Sequence, residues 1–442
     1  MDLLKNLFKG DRIIWIIFLL LCFVSIIEVF SASSTLTYKS GDHWHPITMH
    51  MLLLTVGALV VFIVHNIPVK LYKSIYAILL LPVSWIMLIF VLIMGEVTNS
   101  AKRWIDLGFI QFQPSELAKM GTIIVVALIL WKTQSEKEKG EADPKAMKYI
   151  LGITGISCIL IFTENLSTAL LLCISVYLMM FVGRVPWKQM LKLTAVCVGL
   201  VACGYLTIKY IPTEQFKDTK LERIITWQSR LNTSSNITNV PPEKYDLENN
   251  VQTTQANIAI AGGGFMGKGP GNSVQRDFLP QAYSDFIYAI IIEELGLAGG
   301  AVVAFLYIWL LMRIGKIVQN CDSSYYAYLI MGIGILLTCQ ALMNMMVAVG
   351  LMPVTGQPLP LISRGGTSIL VNCTYIGIIL GVSRYANELK AEKEKEEAEK
   401  EIQKAMIGIK SKYGKNAILK GMNLQKEGTT IERNKQIGGH KE

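Results

Sequence analysis

Apolar runs recur from one end of the chain to the other, separated by short polar stretches. At helical rise, about 30 Å of hydrocarbon takes roughly 20 residues. Runs near 13–33, 48–66, 74–95, 115–131, 149–163, 167–183, 193–211, 286–312, 325–348 and 367–383 reach or approach that length. In lipid each backbone N–H and C=O has to be satisfied within its own segment, so these runs predict helices. The expected fold is an all-α integral membrane protein, a bundle of about ten transmembrane helices with one large extracytoplasmic loop. The fifth run is short, which leaves open one kinked hairpin around Glu164-Asn165-Leu166-Ser167 in place of two helices. The eighth run is allowed to begin outside the bilayer.

Composition agrees with a membrane as solvent, since 52% of residues are hydrophobic and only 17% charged. The first run is too long for a signal-peptide core and has no small-residue cleavage site behind it, so it reads as a retained helix. The net charge of +9 would suit nucleic acid in a soluble protein. In a membrane protein it reflects topology and anionic headgroups, and no nucleic-acid partner is expected. Lys5, Lys9 and Arg12, Lys70 and Lys73, the lysines of 132–148, Arg184, Lys188 and Lys192, and Arg313 and Lys316 all fall on one side of an alternating helix count. Only Lys39, Lys102, Arg103 and Arg364 fall in the opposite short connections, so both termini are expected in the cytoplasm. The largest connection, about 212–284, then faces outward, with a disordered stretch expected around 232–250. The organisation expected is a polytopic membrane domain over 1–385 and a charged, partly disordered cytoplasmic tail over 386–442.

Seven of the eight cysteines lie inside apolar runs and show no metal or disulfide spacing. His43, His45, His50 and His65 fall at run ends and read as interfacial. Candidate chemistry concentrates in three outward-facing segments. In the first, Asn99–Asp106 is followed by Gln113-Pro114-Ser115-Glu116-Leu117-Ala118-Lys119, where Glu116 and Lys119 are spaced to pair on one helix face. That pair either locks the helix or touches substrate. In the second, a glycine-rich stretch from Ala261 leads through Lys268 and Arg276 to Asp285. Glycines allow a backbone to approach a ligand closely, and the two cations suit phosphate. Asp285 is either a helix N-cap or a reactive carboxylate, and one of Glu293 and Glu294, two turns on, is expected to face a polar cavity. In the third, Asn344 precedes Pro353–Ser368, whose three prolines and three glycines preclude a regular helix. Such backbone at membrane depth lies beside protein or lines a cavity.

These segments, in this order, resemble the SEDS family of bacterial cell-wall glycan polymerases over roughly residues 10–385. The resemblance rests on AKRWIDLG with QPSELAK, on GKGPGNSVQRDFLPQAYSDF followed by EELG, and on PVTGQPLPLISRGGTS. Two departures stand out: Asn165 replaces an aspartate the family commonly carries, with Glu164 beside it, and Arg364 replaces a tyrosine. The resemblance implies an enzyme that polymerises lipid II into glycan strands on the outer face of the bacterial cytoplasmic membrane. It implies Asp285 as general base in a single inverting displacement. Arg103, Lys268, Arg276, Arg364 and Ser363 become substrate-binding candidates, and Glu116, Lys119, Glu164, Glu293 and Glu294 supporting ones. No cofactor is required by the pattern, and a divalent cation, Mg2+ or Mn2+, would suit the pyrophosphate leaving group. Implied partners are lipid II, the nascent strand, a class B penicillin-binding protein and other divisome membrane proteins. The tail of nearly sixty residues favours a division-type member at the septum. An elongation-type polymerase and a lipid-precursor flippase are the alternatives, and the absence of an internal repeat weighs against the last.

Overall fold

The computed structural model describes residues 8–33, 44–94, 96–98, 101–106, 111–134, 142–162, 165–210 and 251–413. Each of the ten expected runs carries a helix: α1 Arg12–Ala32, α2 His45–Asn66, α3 Ile75–Met94, α4 Pro114–Lys132, α5 Lys145–Phe162, α6 Leu166–Val182 and α7 Trp187–Tyr210, then, after α8 Val251–Gly263, α9 Ile287–Gln319, α10 Ser324–Ala348 and α11 Thr367–Tyr413. Of these, α1, α2, α4, α5, α9, α10 and α11 are long and apolar enough to cross a membrane, and α3 and α6 hold shorter apolar stretches, Ile78–Ile93 and Leu166–Val182. Helices five and six are separate, and Asn165 is the reason. Its side chain accepts from the backbone N–H groups of Ser167 at 3.0 Å and Thr168 at 3.3 Å, capping α6.

Two elements were not anticipated. Helix α8 lies inside the large connection, whose residues 211–250, including the stretch expected to be disordered, lie outside the described residues. A three-stranded antiparallel sheet, β1 Glu96–Thr98, β2 Ala101–Asp106 and β3 Gln111–Phe112, occupies the connection between α3 and α4. Its two pairings, Glu96 opposite Trp104 and Ile105 opposite Phe112, fold the first polar segment back on itself.

The chain divides into two compact units, Met1–Arg384 and Tyr385–Glu442. In the first, α9 and α10 pack on each other and on α1, α4, α6 and α8. The start of α1 is fixed by Asp11, which caps the helix through the N–H groups of Ile13 and Ile14 and pairs with Arg313 at 2.6 Å. In the second unit the helix continues to Tyr413, with one exposed Lys390–Glu394 pair at 3.9 Å that contributes little.

The histidine expectation needs correction. His50 and His65 are buried, not interfacial. His50 Nε2 meets Ser25 Oγ at 2.9 Å, and that hydroxyl donates to the Ile362 carbonyl at 2.7 Å, so the ring helps hold the third polar segment against α1.

Candidate active site

The glycine-rich segment and the start of α9 are built around each other. Helix α9 is interrupted at Gly296, whose φ of +73° is open to glycine at little cost. Across the break, Lys268 N–H donates to the Glu293 carbonyl at 3.0 Å and Gly269 N–H to the Glu294 carbonyl at 2.8 Å. In return Leu297 and Ala298 donate to the carbonyls of Gly264 and Phe265, at 3.0 and 3.3 Å. The approach is so close that a Cβ on Gly296 would collide with the Phe265 carbonyl, and one on Gly267 with that of Glu294.

The glutamate side chains complete this braid. Glu293 accepts from Lys268 Nζ at 2.6 Å, Ser273 Oγ at 2.5 Å and the N–H groups of Val274 and Gln275, both at 3.2 Å. Glu294 accepts from the N–H groups of Gly271 at 2.8 Å and Ser273 at 3.2 Å, and from the Ser31 hydroxyl. Both side chains are fully buried, so the expectation that one faces a polar cavity is overturned. The physical reason is that an irregular loop leaves backbone donors without helix partners, and two carboxylates supply the acceptors. Arg276 joins the same network, its Nη1 donating to Ser31 Oγ and to the Gly271 carbonyl, each at 2.9 Å.

This loop delivers Asp285. The N-cap of α9 is Phe286 and makes no side-chain capping bond, so the N-cap reading of Asp285 does not hold. The Asp285 side chain is half-buried. Its Oδ1 accepts from Ser284 Oγ at 2.9 Å, and its Oδ2 faces Gly356, on which a Cβ would lie 3.5 Å away. The backbone on either side is clamped. Asn344 Nδ2 donates to the carbonyls of Asp285 at 2.9 Å and Gln357 at 2.8 Å. Ser363 Oγ donates to the Ser284 carbonyl at 2.6 Å, while Arg364 N–H donates to that of Tyr283 at 3.0 Å. The Pro353–Ser368 segment is therefore the wall against which the Asp285 loop is held.

Around Asp285 the expected cations take different positions. The Arg364 guanidinium lies 5.9 Å from the Tyr283 ring centre, and its Nη1 makes no hydrogen bond among the described residues. Burial lowers its pKa from the ordinary arginine value. Burial also pushes the Tyr283 phenol up, Arg364 pulls it back and Asp285 adds to the rise, so the phenol is neutral at physiological pH. Lys268 is tied to Glu293 with a third of its side chain exposed. The Ser363 hydroxyl is committed to two backbone partners, the Ser284 carbonyl and the Leu359 N–H. The Arg103 side chain and Glu164 lie outside the described residues.

Glu116 and Lys119 pair at 2.8 Å in the buried face of α4. Lys119 also donates to Gln340 Oε1 at 3.1 Å, and Gln340 Nε2 donates to the Pro358 carbonyl at 3.1 Å. Gln357 Nε2 in turn meets Thr168 at the start of α6. A polar relay thus runs from α4 through α10 to the wall beside Asp285. Gln340 and Gln357 were not singled out from sequence, although Gln340 and Asn344 stand four apart in an apolar helix, a spacing that puts both on one face. Among the described residues no group of three or more His, Cys, Asp or Glu side chains is arranged to hold a metal ion.

Residues 11–388 match the family described as "Cell cycle protein", whose members are FtsW, RodA and SpoVE. The chain belongs to the FtsW/RodA/SpoVE family. It is 33% identical over 379 residues, 84% of this chain and 95% of the relative, to a probable peptidoglycan glycosyltransferase FtsW of Coxiella burnetii. It is 29% identical over 349 residues, 76% of this chain and 85% of the relative, to the peptidoglycan glycosyltransferase MrdB of Escherichia coli K12. Among solved structures, one described as "Structural coordination of polymerization and crosslinking by a peptidoglycan synthase complex" superposes with a TM-score of 0.64 at 25% identity, covering 85% of this chain and 98% of that one. The rod-shape-determining protein RodA of Thermus thermophilus shares the fold, with a TM-score of 0.59 at 23% identity over 86% of this chain and 98% of that one.

Proposed function

We propose that this membrane protein is a peptidoglycan glycosyltransferase that polymerises lipid II on the outer face of the cytoplasmic membrane. The observation that carries this is a half-buried carboxylate, Asp285, on a loop whose backbone is clamped on both sides by Asn344, Ser363 and Arg364. Glycosyl transfer needs a base at a defined place, and a rigid, braided loop supplies one. In the reaction the sugar 4-hydroxyl of incoming lipid II attacks the anomeric carbon of the growing strand. The bond from that carbon to undecaprenyl pyrophosphate breaks, and Asp285 takes the hydroxyl proton. An α-linked pyrophosphate becoming a β-linked glycan is one inverting displacement with no covalent sugar–enzyme intermediate. The leaving pyrophosphate carries negative charge, and Arg276, Arg364 and Lys268 are the described cations nearest in sequence to the reactive loop and its wall.

We read the chain as a division-type member. The FtsW-named relatives and the long tail support septal synthesis, while the MrdB relative keeps an elongation role as the second reading. A class B penicillin-binding protein is the natural partner, as the solved peptidoglycan synthase complex with this fold suggests. The decisive experiment is glycan-strand formation from purified lipid II by wild-type and Asp285→Asn proteins, each with its transpeptidase partner and each with a thermal melt. The base role predicts unchanged melting with turnover lower by about 100-fold or more. Wild-type rates in Asp285→Asn would remove Asp285 from the mechanism, and an inactive wild-type protein would remove the polymerase reading. A fluorescent fusion found along the side wall instead of the septum would decide for elongation.

A further inference from the structure

On α1, Ser25, Glu28 and Ser31 stand three apart, a spacing that puts them on one helix face, and all three are buried. The two serines are each held from elsewhere in the bundle. Ser25 Oγ meets His50 Nε2 at 2.9 Å and donates to the Ile362 carbonyl at 2.7 Å. Ser31 Oγ donates to Glu294 and accepts from Arg276 Nη1 at 2.9 Å. Glu28, between them, is fully buried, and neither of its carboxyl oxygens has a hydrogen-bond partner among the described residues. The neighbouring charge that acts on it is a like one, the Glu294 carboxylate. The cations of the loop are committed, Arg276 Nη1 to Ser31 and the Gly271 carbonyl and Lys268 to Glu293. A buried carboxylate built to carry charge looks different in this same fold. Glu293 accepts four hydrogen bonds and Glu294 three. Without donor or counter-charge in a low-dielectric interior, a carboxylate costs more than the uptake of a proton.

We propose that Glu28 is a proton-binding site: it holds a proton at neutral pH, and its release at alkaline pH sets a second negative charge beside Glu294 and loosens the braided loop. The route from Glu28 to the loop is short. Ser31, one turn on, ties α1 to both Glu294 and Arg276. Glu294 in turn accepts from the N–H groups of Gly271 and Ser273. A charge on Glu28 competes for the Ser31 hydroxyl and repels Glu294, so the carboxylate that orders the loop loses its fit. The titratable groups around this stretch are His50 from α2 and Glu293 and Glu294 from α9. Lys268, Arg276 and Asp277 come from the loop, and Arg364, whose charge reaches His50, from the Pro353–Ser368 wall. None of these donates to Glu28. Glu28 is thus a positioning residue, acting on the loop through Glu294.

In the unfolded chain Glu28 gives up its proton above the ordinary glutamate value of about 4.3, while the folded chain keeps it. Rising pH therefore draws the wild-type protein toward the unfolded state until Glu28 ionises in place. Glu28→Gln keeps the shape of the protonated side chain and cannot ionise. In thermal melts of the purified full-length protein in one detergent, Glu28→Gln should melt above wild type, by a gap that widens from about pH 5 to about pH 8 and reaches about 5 °C. Glu28→Leu, a second variant without an ionisable group, should lose the same part of the pH dependence. Infrared spectra of the wild-type protein need no variant to fold. At neutral pH they should carry a protonated-carboxyl band that shifts in deuterium oxide, fades on alkaline titration and is missing from Glu28→Gln. Trypsin at alkaline pH should cut after Lys268 and Arg276 faster in wild type than in Glu28→Gln. A Glu28→Gln protein that melts below wild type at every pH would overturn the proposal, as would a wild-type spectrum without the band. So would stabilisation of the wild type by Na+ or Mg2+ that Glu28→Gln loses, since Glu28 would then be a charged cation ligand. Equal cleavage of the two proteins at alkaline pH would overturn the link to the loop. None of these readouts is catalytic activity, so each stands whichever way the polymerisation assay falls.

Discussion

Removing the Lys119 charge alone should harm the protein more than removing it together with that of Glu116. In the folded chain Lys119 is fully buried and holds two acceptors, Glu116 Oε1 at 2.8 Å and Gln340 Oε1 at 3.1 Å. Glu116 has only this partner, since its Oε2 makes no hydrogen bond among the described residues. Lys119→Met therefore strands a buried carboxylate, a change that costs about 3–5 kcal/mol when one member of a buried pair is lost. Glu116→Gln is gentler, because the amide oxygen still accepts from Lys119 and Gln340 is untouched. It leaves the buried Lys119 ammonium held by neutral oxygens alone, at a cost of about 2–3 kcal/mol. In the double variant no charge is left in the low-dielectric interior, and a coupling of about 1–3 kcal/mol should be recovered relative to the sum of the single changes. The assay is thermal unfolding of the four proteins in one detergent. Lys119→Met should melt on the order of 5–10 °C below wild type, Glu116→Gln by a few degrees, and the double variant between them. A double variant at or below Lys119→Met would refute the reasoning, because the carboxylate would not then be the source of the loss. A Glu116→Gln protein that melts like wild type yet makes no glycan would show that the pair meets substrate and does more than lock α4.

Other outcomes follow from the same structure. Gly296→Ala would place a methyl on the Phe265 carbonyl at a φ of +73°, so the protein should express poorly or lose several kcal/mol, about 1–3 of them from the backbone strain alone, as a melt or a limited-proteolysis profile would report. Asn344→Leu leaves the carbonyls of Asp285 and Gln357 without their shared donor, and glycan formation should fall by about 10–100-fold with the bundle still assembled by circular dichroism and gel filtration. A cysteine placed at Gly140 should resist an impermeant thiol reagent added to intact cells, whereas one at Asn272 should react; labelling of position 140 from outside would reverse the assigned orientation.

The helices were legible in the chain because lipid leaves a span no other way to satisfy its backbone, so run length alone placed the starts of α1 to α7 and α9 to α11 to within about a turn and a half, whereas α9 and α11 run on past the expected ends to Gln319 and Tyr413, where the chain turns polar. The family, too, was carried by short local patterns, and Asp285 stood out at the head of an apolar run. Helix α8 and the three-stranded sheet were not legible, because neither has the length or periodicity that marks a span. The roles of Glu293 and Glu294 were misread for a related reason. A carboxylate inside an apolar helix signals that it has partners, but the partners are backbone N–H groups of a loop some twenty residues back, and backbone groups carry no sequence signature. The same holds for Ser363, His50 and Gln340, each spent on a carbonyl or side chain that reaches it only when distant helices pack. Hydrophobic length by itself determined that this chain crosses a membrane many times and where each crossing begins. Packing decided how Asp285 is held, because a clamp made of hydrogen bonds between residues tens of positions apart exists only once the bundle has closed.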